Sequence, residues 1–186
     1  MKPASRLRRD DSFLLVIDVQ QRLAHAVHGG ERVVARCGAL LRAAKLLGVP
    51  VLLSEHCPDA LGITVPELLE VAPEGSRMRK VFFSCADQNE CLLRIDALAR
   101  RQVVVAGMEG HVCVMQSAQG LAERGFETFI VQDAVGSRRP ADCAAAIERM
   151  RAAGAAIVTA EMVMFEWLHR ADVPELHALL RIVKEN

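Results

Sequence analysis

The sequence lacks an excess of either charge: 23 Lys and Arg face 23 Asp and Glu, for a formal net charge of +0 at pH 7. That balance argues against a nucleic-acid or membrane-surface role, since both call for a net basic face. Long apolar runs are also missing. Behind the basic start MKPASRLRRDD stands FLLVIDVQ, which is interrupted by Asp18 and too short for a signal-peptide core or a membrane span. A cytoplasmic protein is expected. The six cysteines, at 37, 57, 85, 91, 113 and 143, show no CxxC spacing, which removes the usual zinc and thioredoxin signatures. They read as free thiols, because a chain of this length builds a core without a disulfide framework. A dinucleotide cradle is excluded as well: DVQQRLAHAVHGG stands after the first apolar run, where GxGxxG would be needed. Internal repeats, low-complexity segments and linkers are absent, and 186 residues fit a single domain spanning 1–186, with 1–11 expected as a flexible N-terminal segment.

What is present alternates. FLLVIDV (13–19), VPVLLS (49–54) and QVVVAG (102–107) are nearly continuous apolar runs, which predicts strands covered on both faces. TFIVQDA (128–134) and AAIVTA (155–160) read as weaker strands, and MRKVFF (78–83) as a sixth. Between them lie helical patterns: 31–48, closed by a glycine; 87–101, opened by Asp87 as its cap; and 141–154, after a proline. Strand and helix in alternation predict a three-layer α/β/α domain with a parallel sheet and helices on both faces. The segment 56–77 is long for a loop, so it is a candidate for shaping a pocket.

Ligands of open parallel sheets bind beyond the carboxyl ends of the strands. The polar residues expected there are Asp18 and Gln20, Glu55 and His56, the stretch Glu109 to Cys113, and Asp133. Cys113 falls where the turn after the fourth strand becomes a helix. A thiol in that first turn feels the positive end of the helix dipole, which favours thiolate, and the same N–H groups can receive an oxyanion. The alternative is a small buried residue that fills the joint between strand and helix. Asp18 is either the proton acceptor a nucleophile needs or a loop-capping aspartate. Lys80 either marks a strand entry with its amine in water or points inward to pair with Asp18.

Three segments, LLVIDVQ with Asp18, RKVFFS with Lys80 and GMEGHVCVMQSA with Cys113, resemble the isochorismatase-like cysteine hydrolase superfamily. LGITVPELL, GFETFIVQDAVGSR and RMRAAGAAIVTAE extend the likeness over nearly the whole chain, toward the isochorismatase domain-containing subgroup. The resemblance implies a Rossmann-like six-stranded parallel sheet of order 3-2-1-4-5-6. It implies a metal-independent cysteine hydrolase that cleaves a small amide or related carbonyl compound through an acyl-thioester, with Asp18 as base, Lys80 as electrostatic partner and Cys113 as nucleophile. It further implies a cis peptide at Met108–Glu109, with the Glu109 and Cys113 amides as oxyanion donors, and a homo-oligomer. The metal-binding Asp-x-His pair of nicotinamidases has no counterpart in SEHCPDALG, so no metal and no cofactor are expected. Gln20, His56, Phe82, Phe83 and His111 are the candidates for the substrate pocket. Trp167, in MVMFEWLHRA, is read as core or subunit-interface packing. Two other readings use the same residues: a redox-responsive or thioester-handling thiol, and a non-catalytic scaffold.

Overall fold

The computed structural model describes residues 6–185. Strand β1 (Ser12–Ile17) lies at the middle of a six-stranded sheet of order β3-β2-β1-β4-β5-β6, whose other strands are β2 (Val51–His56), β3 (Arg77–Lys80), β4 (Gln102–Met108), β5 (Glu127–Gly136) and β6 (Ala156–Val158). Every pairing is parallel. This is the strand order that the resemblance implied.

The three layers follow from strand alternation. Leu14, Val16, Val104, Ala106 and Val131 point to one face, where they meet α2 (Gly30–Leu47), α8 (Ala160–Leu168) and α9 (Leu176–Lys184). Phe13, Leu15, Ile17, Val103, Val105 and Ile130 point to the other, against α5 (Asn89–Asp96), α6 (Met115–Glu123) and α7 (Pro140–Ala152). Both faces of the central strands are thus dry, which is why their sequences are unbroken apolar runs; each fully buried Leu, Ile, Val or Phe contributes about 1.5–3 kcal/mol. Helix α2 buries Val33, Cys37, Leu40, Leu41, Ala44 and Leu47 at helical spacing, and ends in the left-handed Gly48.

Several expectations shift. The strand expected at 78–83 stops at Lys80, because the carbonyls of Phe82 and Phe83 turn back to accept from its Nζ. The helix expected at 87–101 is confined to α5, and Gln88 rather than Asp87 is its N-cap residue; the Gln88 side chain instead accepts from the Val81 N–H. The long segment 56–77 carries two short helices, α3 (Pro58–Leu61) and α4 (Pro66–Leu69), each begun by a proline; α1 (Gln21–Ala26) precedes α2. Residues 6–11 are not loose: Leu7 is buried and its N–H donates to Glu166 at 2.6 Å, and the Arg8 N–H donates to Gln102 at 2.8 Å. The rest of the segment expected to be flexible lies outside the described residues. Trp167 faces the core, while Met162 and Phe165 of the same helix face outward. Among the described residues, no helix is long and apolar enough to cross a membrane.

Candidate active site

The carboxyl ends of β1, β2, β3 and β4 bring together residues distant in the chain. Asp18 follows β1 directly and adopts a left-handed conformation, φ 51, uncommon outside glycine but tolerated by aspartate. Its N–H donates to the Ser54 carbonyl at 3.0 Å, and its side chain is fully buried. Lys80, the last residue of β3, is also buried, and its Nζ lies 2.7 Å from Asp18 Oδ2. The other carboxylate oxygen, Oδ1, accepts from Ser54 Oγ at 2.6 Å. The ammonium donates further to the carbonyls of Phe83 at 3.0 Å and Phe82 at 3.3 Å, so its three donors are all engaged. A buried charge pair persists only when paired and hydrogen-bonded in this way. Lysine therefore points inward, and the strand-entry alternative falls.

Cys113 is almost fully buried and close enough to the pair for its thiol to feel both charges, Asp18 raising its pKa and Lys80 lowering it. It sits in a π-helical turn, Gly110–Val114, that leads into α6 and is closed by the bond from the Val114 N–H to the Glu109 carbonyl. Such turns recur at functional sites. The peptide Met108–Glu109 is cis. Just before it, Gly107 has φ +121, and a Cβ there would lie 2.0 Å from the Ile17 carbonyl oxygen; only glycine lets β4 approach β1 so closely beside Asp18.

The thiolate expected from the helix dipole is not the resting form. Burial pushes the Cys113 thiol up, Asp18 pushes it further, and Lys80 opposes both without prevailing. Since Lys80 is already neutralised by Asp18, little positive field remains for the sulfur. Burial pulls the Lys80 ammonium down, but attraction to Asp18, Cys85 and Cys113 and the hydrogen bond to Asp18 outweigh it, and the net direction is up. At neutral pH the arrangement is a thiol, a carboxylate and an ammonium: an acid beside its own proton acceptor.

The pocket candidates separate. Gln20 is fully buried and its amide is spent on backbone: Oε1 accepts from the His56 N–H at 2.8 Å, while Nε2 donates to the carbonyls of His56 at 3.1 Å and Gly62 at 2.5 Å. It clamps two loops together and offers no free polar group. His56 keeps its ring against Phe83, with centroids 5.1 Å apart. Phe82 and Phe83 are 52% and 49% exposed, forming an apolar lip beside the buried charges. His111 Nδ1 is 3.0 Å from Ser137 Oγ, and Glu109 Oε1 accepts from Arg138 Nε at 2.9 Å and from its N–H at 3.2 Å. Two of the polar residues expected at strand ends hold the scaffold: Glu55 binds the Thr64 N–H and hydroxyl, both at 2.9 Å, and Asp133, which lies within β5 rather than at its end, binds the Ala160 N–H at 2.9 Å. Among the described residues, no group of three or more His, Cys, Asp or Glu converges as a metal site would.

Sequence reasoning missed Ser54 and Cys85. Cys85 is fully buried and interacts with Asp18, Lys80, Ser54 and Ser117. For Ser54 a signal existed: a polar residue ending the apolar run VLLS, in register with β1. For Cys85 there was none, because nothing in the chain places 84–86 beside β1. Two large hollows lie elsewhere, about 760 Å³ between α1, α2 and α4 and about 540 Å³ beside α7; neither is lined by Asp18, Lys80 or Cys113. We assign the chemistry to the site at the strand ends, since the buried Lys80–Asp18 pair lies there and in neither hollow.

Residues 12–162 match the model of the isochorismatase domain. Isochorismatase domain-containing protein 2A of Mus musculus is 31% identical over 97% of this chain and 86% of its own. Among solved structures, the MAR1 ribonuclease of Caenorhabditis elegans superposes with a TM-score of 0.89 at 31% identity, over 97% of this chain and 93% of that one. YcaC matches in two forms, both with a TM-score of 0.90, at 27% identity and over 98% of this chain: from Escherichia coli, an octameric hydrolase of unknown specificity (92% of that chain), and from Pseudomonas aeruginosa, with hexane-2,5-diol and covalent acrylamide (93%).

Proposed function

The chain belongs to the isochorismatase family, and from that membership and the site we propose that it is a metal-independent cysteine hydrolase acting on a small amide or related carbonyl compound. The observation that carries this reading is the buried Lys80–Asp18 pair at 2.7 Å with the buried Cys113 thiol in the field of both charges. Burial, by keeping the sulfur protonated at rest, requires a base at the moment of attack, and Asp18, whose charge already acts on the thiol, is the group to serve.

In this mechanism the thiol proton passes to Asp18 as the sulfur attacks the carbonyl carbon, and the oxyanion is received by the amides of Glu109 and Cys113. Collapse breaks the C–N bond, and the amine departs with the proton held on Asp18. A water then returns its proton to Asp18 while attacking the thioester, and the released thiolate recovers that proton. Lys80 stays charged throughout and holds the carboxylate in place. The balanced overall charge favours a small substrate over a polyanion such as RNA. Covalent acrylamide in the P. aeruginosa YcaC structure agrees with an amide-sized site. A homo-oligomer belongs to the same reading, since Met162 and Phe165 present apolar surface and a relative is octameric; sedimentation velocity decides it.

The test is acid-quenched mass spectrometry during turnover of short primary amides, with ammonia release read in parallel. An acyl mass on Cys113 and ammonia are expected, both lost in Cys113→Ala. Ammonia release by Cys113→Ala at the wild-type rate would sink the proposal.

A further inference from the structure

The turn that carries Cys113, Gly110–Val114, and the residue before it are gripped from one side by the segment that follows β5. Glu109 Oε1 accepts twice from Arg138, from its Nε at 2.9 Å and from its N–H at 3.2 Å. Ser137 Oγ lies 3.0 Å from His111 Nδ1. Between these two contacts Gly110 packs so closely that a Cβ there would stand 2.9 Å from Val135 Cγ1 and 3.1 Å from Ser137 Oγ. The anchor is itself held: Ser137 is buried, and its carbonyl accepts from the His28 N–H at 3.1 Å. Yet the N–H of Glu109, in a residue only 8% exposed, finds no acceptor among the described residues.

An unspent amide in the turn of a nucleophile serves an oxyanion only if its direction is fixed and the charge around it does not repel the developing anion. Glu109 raises both problems, because an untethered carboxylate on the same residue would swing with its side chain and bring negative charge to that turn. Arg138 answers both. Its two donors fix a single carboxylate oxygen, and its guanidinium neutralises the charge. Stability gives no comparable reason for the pair: the Arg138 side chain is 62% exposed, and ion pairs open to solvent add little to folding.

We propose that Arg138 is a positioning residue of this site: by holding and neutralising the Glu109 carboxylate, it keeps the Glu109 N–H set to receive the oxyanion. This rests on the reading of Cys113 as nucleophile with the Glu109 amide as donor, and it adds a residue from the far side of β5 that touches neither substrate nor sulfur.

Two reagents that differ in whether an oxyanion forms give the test. With iodoacetamide the S–C bond forms at the methylene carbon as the C–I bond breaks, iodide departs and the thiol proton goes to solvent. With p-nitrophenyl acetate the sulfur adds to the carbonyl carbon, the π pair moves to oxygen, and collapse breaks the C–O bond to expel p-nitrophenolate, the thiol proton again reaching solvent. Only the second reaction draws on the Glu109 amide. Initial rates of Cys113 labelling are measured by peptide mass spectrometry on acid-quenched samples for the wild type, Arg138→Gln and Arg138→Lys, and expressed as the acylation-to-alkylation ratio, in which thiol ionisation and access to the sulfur cancel. The ratio is expected to fall about tenfold in Arg138→Gln, less than the 10²–10³ lost when an oxyanion donor is removed outright, and to recover in large part in Arg138→Lys, which keeps the charge and the backbone N–H. An unchanged ratio in Arg138→Gln overturns the assignment of Arg138 and leaves the nucleophile standing, whether both rates hold or both fall together as they would if Arg138 only braced the turn. Wild-type Cys113 that alkylates but does not acylate overturns the Glu109 amide as donor, and Arg138 with it. Failure of both reagents to label wild-type Cys113 overturns the nucleophile itself.

Discussion

Lys80 and Asp18 are each stable in the interior only because of the other. Removing the ammonium leaves a carboxylate with one hydrogen bond from Ser54 and no counter-charge. Lys80→Met is therefore expected to cost about 3–5 kcal/mol in guanidinium-induced unfolding, and Asp18→Asn in the same chain to return a good part of it, because a neutral amide needs no cation. If the double variant is no more stable than Lys80→Met, the two residues do not act as a pair. At this scale the sequence was partly legible. Asp18 could be named from its place at the end of a buried strand, and Cys113 from its place at the start of a helix. Lys80 could be named but not oriented, since an inward and an outward lysine at a strand end look alike in sequence. Its direction depends on the carbonyls of Phe82 and Phe83, which only the folded turn brings round. The charge state of Cys113 was not legible either: a helix dipole is visible in a sequence pattern, whereas the desolvation that overrides it depends on packing from α6, α7 and β1.

Elements place these groups, and the closest tolerance among them is between β1 and β4. Gly107→Ala would set a Cβ 2.0 Å from a backbone oxygen of the central strand, at φ +121, where neither partner can yield. A loss of roughly 3 kcal/mol or more is expected, seen as a Tm lower by about 10 °C. Gly48→Ala, left-handed but with open space around it, is expected to lose only about 1 kcal/mol. Equal losses would mean that the close approach of the strands is not what fixes Gly107. The strands and the long helices were legible because a core lies on both faces, so apolar runs and helical stripes report directly on burial. Short elements were not. The end of β3 and the start of α5 answer to Lys80 and Gln88 rather than to any local pattern, and the two single-turn helices in 56–77 are held by Glu55 and Gln20 from outside the segment. The π-helical turn carrying Cys113 has the composition of an ordinary helix start, so nothing in its residues distinguishes it.

The whole molecule has a pH limit set by its thiols. Cys37 and Cys85 are fully buried, and desolvation first, then the charge of Asp133 on Cys37 and of Asp18 on Cys85, pushes both above their ordinary value of 9.0. Cys91 is pushed up to about 12 for the same first reason. In the unfolded chain these thiols ionise near pH 9, while the folded protein holds them neutral. Below that pH both states carry the same protons and the thiols add no pH dependence. Above it the unfolded state has lost protons that the native state keeps, so stability falls as pH rises, by up to about 1.4 kcal/mol per pH unit for each such thiol. The guanidinium midpoint is thus expected to hold level from pH 7 to 8.5 and to drop steeply by pH 10.5. Cys37→Ala separates the cause from general alkaline damage: it loses some packing at pH 7, but its slope above pH 9.5 is shallower by about 1.4 kcal/mol per pH unit. Parallel slopes for the two proteins would mean that Cys37 ionises in the folded state, and that the α2 face of the sheet admits solvent where this structure packs it dry.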